Sequence, residues 1–237
     1  MTVNRLSFAE ALAREAGSLA QGLRSQPAGL SVETKGHQDF VTAADYAVER
    51  FIRERIAQSF PGDAILGEET GLTGQSSSVW IIDPIDGTSN YMRGLPDWAI
   101  SIGFFDGTNL THGAIYAPDL DLLASAETDQ PAKLNGEVIE VSARDDLAES
   151  LLILGYSERT GITDHIGRID RLLASGCDYR KQGAATIGFL SVAAGRAEAY
   201  YEPTLNIWDA AAGLVIVRSA GGHIEHAPIS TFLDGPD

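Results

Sequence analysis

Apolar positions recur every three to four residues across residues 5–24, at Leu6, Ala9, Ala13, Ala16, Leu19, Ala20 and Leu23, and the run stops ahead of Pro27. That spacing predicts an amphipathic helix with one buried face. A second helix is predicted from Thr42, a good N-cap, with Asp45 three residues on as the acidic member of a capping box. Its apolar face is Ala44, Val48, Phe51, Ile52 and Ile56, and Pro61-Gly62-Asp63 ends it. The pattern then shortens. Residues 64–67 read as a strand that delivers Glu68 and Glu69 at its end, and after a Gly/Ser-rich loop (71–78) a buried-looking strand covers 79–83.

The middle of the chain reads as antiparallel β. Residues 98–105 alternate and end at the turn Asp106-Gly107, 110–116 return, 122–126 follow, and Asn135-Gly136 predicts a hairpin before 138–141. From about residue 145 the texture changes. A strand (151–154) leads to a helix (164–174), then extended Tyr179-Arg180 and a small-residue helix (184–194) closed by Gly195. A strand (197–201) then meets a helix over 207–219, ended by Gly221-Gly222. Hairpins first and β/α alternation second predict an α/β protein of two lobes joined near residue 143. The first, 1–143, carries an antiparallel sheet and the second, 144–237, is α/β. The turn-like tail from Leu233 to Asp237 reads as a truncated lobe or the start of a disordered continuation beyond residue 237.

At 237 residues the chain can bury a core without covalent staples. Its one cysteine, Cys177, excludes an intrachain disulfide framework and suits a reducing cytoplasm. Glu10 and Glu15 interrupt the first apolar pattern, which argues against a signal peptide, and apolar runs such as 210–217 are too short to span a bilayer. A soluble, cytoplasmic protein is expected. The net charge of −16 argues against a nucleic-acid backbone or an anionic membrane as direct partner.

Residues 80–90, Trp-Ile-Ile-Asp-Pro-Ile-Asp-Gly-Thr-Ser-Asn, carry the candidate chemistry. Asp83 and Asp86, held at a strand end and linked by Pro84, repel each other unless a cation sits between them. Gly87-Thr88-Ser89 offers backbone N–H groups and hydroxyls to an oxyanion such as phosphate. Arg93 is the one basic residue close to this turn in sequence, so divalent cations are expected to supply the positive potential. Glu68, Glu69 and Asp209 add carboxylates at element ends. Each alone is explained as a loop charge or by the helix dipole; their density around a phosphate-type turn points to hard-oxygen ligation of Mg²⁺. Metal beside phosphate implies metal-assisted phosphoryl chemistry. His37, His112, His165, His223 and His226 are scattered and read as structural or surface residues, and Cys177 as a core filler. With no activated side-chain nucleophile in the pattern, in-line attack by water is expected.

These residues resemble the inositol monophosphatase family of Mg²⁺-dependent, Li⁺-sensitive phosphatases over nearly the whole chain. The likeness rests on Asp83-Pro84-Ile85-Asp86-Gly87-Thr88 with Asn90, and on Trp208-Asp209-Ala210-Ala211-Ala212-Gly213. Gly67-Glu68-Glu69, Val41-Thr42-Ala43-Ala44-Asp45 and Gly221-Gly222 complete it. The resemblance implies that Glu68, Asp83 and the Ile85 carbonyl hold one Mg²⁺, with Asp83, Asp86 and Asp209 holding a second. Asp45 corresponds to an acid near a third, weaker metal, while its capping-box role stands as the alternative. Thr88, paired with Glu68, would orient and help deprotonate a metal-activated water, and the N–H groups of Gly87, Thr88 and Ser89 would cradle phosphate.

The resemblance is less complete where substrate would bind. The family's Gly-Thr-Ala stretch is Gly183-Ala184-Ala185 here, so a hydroxyl is lost at Ala184. Glu202 aligns with an acid that bonds substrate hydroxyls, and Asp209 is a further implied contact. Ser89 stands where typical inositol phosphatases have threonine and several relatives have lysine. Asp97-Trp98 stands where smaller apolar residues are common. The fold implied is the α-β-α-β-α sandwich of sugar phosphatases, as a homodimer. The function implied is hydrolysis of a small polyol phosphate such as myo-inositol 1-phosphate. The alternatives are a histidinol-phosphate phosphatase or, in a different class, a regulatory protein that binds the transcription machinery.

Overall fold

The computed structural model describes residues 4–26, 32–36, 39–157 and 159–229. Pro27, His37 and the tail from Leu233 to Asp237 lie outside the described residues. The elements run α1 (Arg5–Arg24), β1 (Val32–Gly36), β2 (Asp39–Thr42), α2 (Ala43–Ser59), β3 (Ala64–Gly67), β4 (Gly71–Thr73) and β5 (Val79–Asp86). Then come α3 (Thr88–Met92), β6 (Ala99–Phe105), β7 (Leu110–Ala117), β8 (Leu122–Glu127), β9 (Lys133–Leu134) and β10 (Glu137–Val138). The remainder is β11 (Leu151–Leu154), α4 (Ile162–Ala174), β12 (Asp178–Arg180), α5 (Ala185–Ala193), β13 (Ala199–Tyr201) and α6 (Ile207–Ser219).

An eight-stranded sheet ordered β10-β9-β8-β7-β6-β5-β3-β4 forms the centre, antiparallel except where β3 pairs parallel with β5. Residues on β5 alternate between its two faces. Trp80 and Ile82 join the core under α1 and α2, while Val79 and Ile81 join the core under α5 and α6. Both faces are covered, so the strand reads as an unbroken apolar run. A second sheet, β12-β11-β13, is parallel and lies beyond α5, with α4 packed against β12. The result is the expected α-β-α-β-α layering.

Two sequence expectations change. The strand predicted over 79–83 continues to Asp86, so both aspartates belong to β5. Asp83 stands opposite Ser101 and Asp86 opposite Ala99, which leaves one extra residue on β5 and makes a bulge. A bulge also accommodates Pro84, which cannot donate to a ladder. The hairpin at Asn135-Gly136 forms, with φ of 51° and 88°, but its second strand ends at Val138 rather than at 141. Beyond it, the Ile139 and Val141 amides donate to the carbonyls of Ala132 and Ala220, so this segment is tied to the end of α6 instead of extending the sheet.

α6 lies directly on the central sheet because its contact face is Ala210-Ala211-Ala212-Gly213 and the facing strand carries Gly113. A Cβ at Gly113 would fall 2.4 Å from the Ala212 carbonyl oxygen. Gly113→Ala is therefore expected to force α6 away from β7. By the usual cost of overpacking it should destabilise by roughly 1–3 kcal/mol, read as a fall of about 2–10 °C in Tm. It should also lower activity, because Asp209 rides on the same helix. No helix among the described residues is long and apolar enough to cross a membrane.

Candidate metal centre and active site

Two aspartates of β5 and one from α6, far along the chain, converge at the end of β5. Oxygen atoms of Asp83, Asp86 and Asp209 lie within 4.8 Å of one another. Asp83 is buried, and its Oδ1 accepts the Ile85 amide at 3.0 Å. Burial raises its carboxyl well above the ordinary range, and the negative charges of Glu68, Asp86, Asp209 and Asp45 raise it further. Burial also raises Asp86, partly offset by bonds from the Thr186 side chain and amide. Asp209 is raised to about 7, again by burial first and then by the charge of Asp86. It is nonetheless held in place as the third residue of α6's capping box, where its Oδ2 accepts the Asn206 amide at 2.9 Å. Carboxylates raised by burial and then by mutual repulsion are a site in need of positive charge, and an all-oxygen donor set fits a hard divalent cation.

The turn after Asp86 opens α3, with Gly87 as N-cap at a φ of 87°. That left-handed conformation favours glycine. No side chain caps α3, so its first amides are not consumed by a capping group. The Thr88 hydroxyl lies 3.2 Å from Asp45 Oδ1 and 3.1 Å from the Ile85 carbonyl, two acceptors that share its one proton. Asp45 is not among the expected partners of Thr88, which the resemblance pairs with Glu68. Asp45 is fully buried at the start of α2 and points its second oxygen, Oδ2, at the Thr42 amide (2.8 Å) and hydroxyl (2.5 Å). One carboxylate thus serves both the capping box and the Thr88 hydroxyl. Burial raises Asp45 above the usual carboxylate range. The Ser89 hydroxyl receives a short hydrogen bond from Arg93.

Glu68 sits in the tight turn between β3 and β4, and a buried pair that sequence reasoning missed organises that turn. Glu49, 1% exposed, accepts the Glu69 amide at 2.7 Å and the Thr70 amide at 3.0 Å. Arg53 bonds Glu49 at 2.8 Å and reaches the Gly71 carbonyl at 2.6 Å. The available signal was only the i, i+4 spacing of Glu49 and Arg53 on α2. Glu49→Ala would leave the Glu69 and Thr70 amides without their acceptor and take one partner from the partly buried Arg53 guanidinium, so a loss of about 1–3 kcal/mol is expected. Urea unfolding should show this at unchanged m-value, and the divalent-ion requirement should rise as the Glu68 turn loosens.

The other expected contacts distribute as follows. Asn90 Nδ2 donates to the carbonyls of Asp97 (2.6 Å) and Gln182 (2.8 Å), tying α3 to the segment that carries Gly183 and Ala184. Ala184 is the N-cap of α5 and provides no capping bond. The hydroxyl absent there reappears two residues on at Thr186, which sequence reasoning also missed. Thr186 is fully buried and bonds Asp86 through both its amide, at 2.7 Å, and its hydroxyl. Glu202 is raised by burial and accepts the Tyr200 hydroxyl at 2.6 Å. The Asp97-Trp98 pair now has an account. The Asp97 carbonyl receives Asn90, while Trp98 packs edge-on to Tyr91 and donates to Asp119 at 2.7 Å. His112 is half-buried beside Glu127, and His223 and His226 are exposed. Cys177 is buried, and burial raises its thiol.

A family model described as the inositol monophosphatase family matches residues 2–232. The chain belongs to that family. Inositol monophosphatase family proteins are typically metal-dependent, and the acidic cluster of Asp83, Asp86 and Asp209 accords with that. Among curated relatives, the Nus factor SuhB of Xylella fastidiosa is 36% identical over 214 residues, which is 90% of this chain and 78% of that protein. Extragenic suppressor protein suhB from Bartonella henselae has a crystal structure that matches with a TM-score of 0.87 at 32% identity, over 91% of this chain and 84% of that one. The inositol monophosphatase from Anabaena (Nostoc) sp. PCC 7120 matches with a TM-score of 0.80 at 31% identity, over 91% and 81% of the two chains. The family thus includes relatives that carry an enzyme's name and relatives that carry a regulator's, and this chain retains the acidic cluster.

Proposed function

We propose that this protein is a Mg²⁺-dependent phosphomonoesterase that hydrolyses a small polyol phosphate such as myo-inositol 1-phosphate. The observation that carries the reading is the juxtaposition of the Asp83–Asp86–Asp209 cluster with the Gly87–Ser89 turn and the Thr88–Asp45 hydrogen bond. Asp83, Asp86 and Asp209 would hold one Mg²⁺, and Glu68, Asp83 and the Ile85 carbonyl another. A third, weaker ion near Asp45 is compatible with its charge. Bound divalent ions supply a lowered pKa for water and charge neutralisation for the phosphoryl group.

The protein's own groups do the rest. Amides of Gly87, Thr88 and Ser89 bind phosphate oxygens at the start of α3. Thr88 Oγ1, whose proton is directed at Asp45, is left with lone pairs that accept a hydrogen bond from the attacking water. Asp45 then stabilises that arrangement by holding the Thr88 proton. Glu202, oriented by Tyr200, receives a substrate hydroxyl, and Gly183 and Ala184 offer an open surface to the ring. The change of sheet between Val138 and Leu151 supports two lobes divided near residue 143, with Asp209 and Glu202 coming from the second. We extend the reading to a Li⁺-sensitive homodimer.

Phosphate release from myo-inositol 1-phosphate, histidinol phosphate and 3′-phosphoadenosine 5′-phosphate at fixed Mg²⁺, with and without Li⁺, tests the assignment. Preference for the inositol ester with Li⁺ inhibition is expected. Preference for histidinol phosphate would move the substrate to the alternative class. A regulatory role is favoured by the name Nus factor borne by the curated relatives. That role predicts a protein partner from the transcription machinery that co-purifies equally with wild type and Asp86→Asn.

A further inference from the structure

Asp86 has a second task besides joining the acidic cluster. α5 begins at Ala185 without a capping side chain of its own, because its N-cap is Ala184. Its first-turn amides, those of Ala185 and Thr186, are instead taken by Asp86, a hundred residues earlier in the chain. A carboxylate at a helix start is favoured by the helix dipole and by the unpaired amides. Thr186 adds a hydroxyl bond to the same Asp86 oxygen, Oδ2, that its amide reaches at 2.7 Å. Thr186 is fully buried in the first turn of α5, and its hydroxyl faces Asp86, while the other hydroxyl of that helix, Ser191, bonds the Ile187 carbonyl.

We infer that Thr186 is a positioning residue for the cation site: its amide and hydroxyl grip Asp86 Oδ2, fix the orientation of that carboxylate within the cluster, and lock α5 to β5. The inference rests on the cation site proposed above. Two consequences follow from the geometry. Removing the hydroxyl leaves the Asp86 carboxylate held by backbone amides alone, with more freedom to rotate, so the cluster must be reordered each time a cation binds. Groups that orient metal ligands typically account for about 10–100-fold in metal affinity. Serine retains the hydroxyl at the same place on the backbone, so the conservative change should restore most of the effect.

Calorimetric titration of Mg²⁺ into the metal-free protein tests this, with Thr186→Val, Thr186→Ser and wild type in parallel. Thr186→Val is expected to raise the Mg²⁺ dissociation constant about tenfold or more, and Thr186→Ser to stay within about threefold of wild type. Should the valine crowd the helix start, Thr186→Ala removes the same hydroxyl without added bulk and is read by the same titration. A purely structural role would lower Tm in EDTA without changing Mg²⁺ affinity. Unchanged affinity in both hydroxyl-free variants, or equal weakening in Thr186→Ser, would overturn the inference while leaving the cation site standing. Absence of saturable Mg²⁺ binding in wild type would overturn both together.

Discussion

Asp83→Asn is expected to remove nearly all phosphatase activity while leaving the fold intact. Asp83 is the carboxylate nearest the centre of the cluster in electrostatic terms, since Glu68, Asp86, Asp209 and Asp45 all act on it. It is also the residue assigned to both ions. Losing cation-based stabilisation of the transition state costs several kcal/mol, which is roughly a thousandfold or more in rate. Stability should move the other way. Asparagine keeps the Oδ1 acceptor that the Ile85 amide uses at 3.0 Å and removes a buried negative charge from among four others. In EDTA the variant should melt at the same temperature as wild type or higher. With Mg²⁺ it should melt lower, because it gains nothing from the ion. Unfolding of Asp83→Asn in EDTA would show that the residue serves the core rather than the site.

Divalent-ion stabilisation should depend steeply on pH, and this is the second large effect. Asp209 ionises near 3.8 when unfolded and at about 7 when folded without metal, and Asp45, Asp83 and Asp86 shift in the same direction. A raised folded pKa gives stability that is fully present below the unfolded value and is lost as pH rises through the folded one. The site therefore destabilises the metal-free protein progressively from about pH 4 to about pH 7. A cation binds the ionised carboxylates and offsets that loss. At a Mg²⁺ concentration about a hundred times its dissociation constant, linkage adds about 2.7 kcal/mol, or roughly 5–10 °C in Tm for a chain of this size. That increment should be full at about pH 8 and largely gone at about pH 5, where protons displace the ion. Depressed acids elsewhere, such as Asp119 beside Arg24, act on the whole-protein profile in the opposite sense. The comparison with Asp209→Asn isolates the site, since that variant should show little of the pH-dependent increment. An increment that does not vary with pH would contradict the raised carboxylates.

Features written into local periodicity were legible before any coordinates. α1, α2 and α6 follow from apolar spacing, with α2 helped by the cap at Thr42, and β3 and β5 from short apolar runs that end in acids. The partners of those acids follow a different logic. Asp86 meets Thr186 across a hundred residues, and Glu49 reaches amides some twenty residues away, so neither pattern has a local signal. The contact of Thr88 with Asp45 depends on how α2 sits over β5, and α2's position is a packing outcome of Val48, Ile52 and Ile56 against Trp80 and Ile82. The strand predicted over 138–141 failed for a similar reason, since hydrogen bonds to Ala132 and Ala220 competed with the sheet edge. The small residues of α6 were visible as composition, but their purpose, a carbonyl 2.4 Å from where a Cβ at Gly113 would stand, exists only in the packed structure.

The initial rate of phosphate release from myo-inositol 1-phosphate, measured as free Mg²⁺ is titrated into metal-free protein, tests the central claim most directly. No turnover in EDTA, with saturable recovery on adding Mg²⁺ and none in Asp83→Asn, is the expected result. Turnover that persists in EDTA, or that survives in Asp83→Asn, would contradict the metal-assisted mechanism assigned to the end of β5.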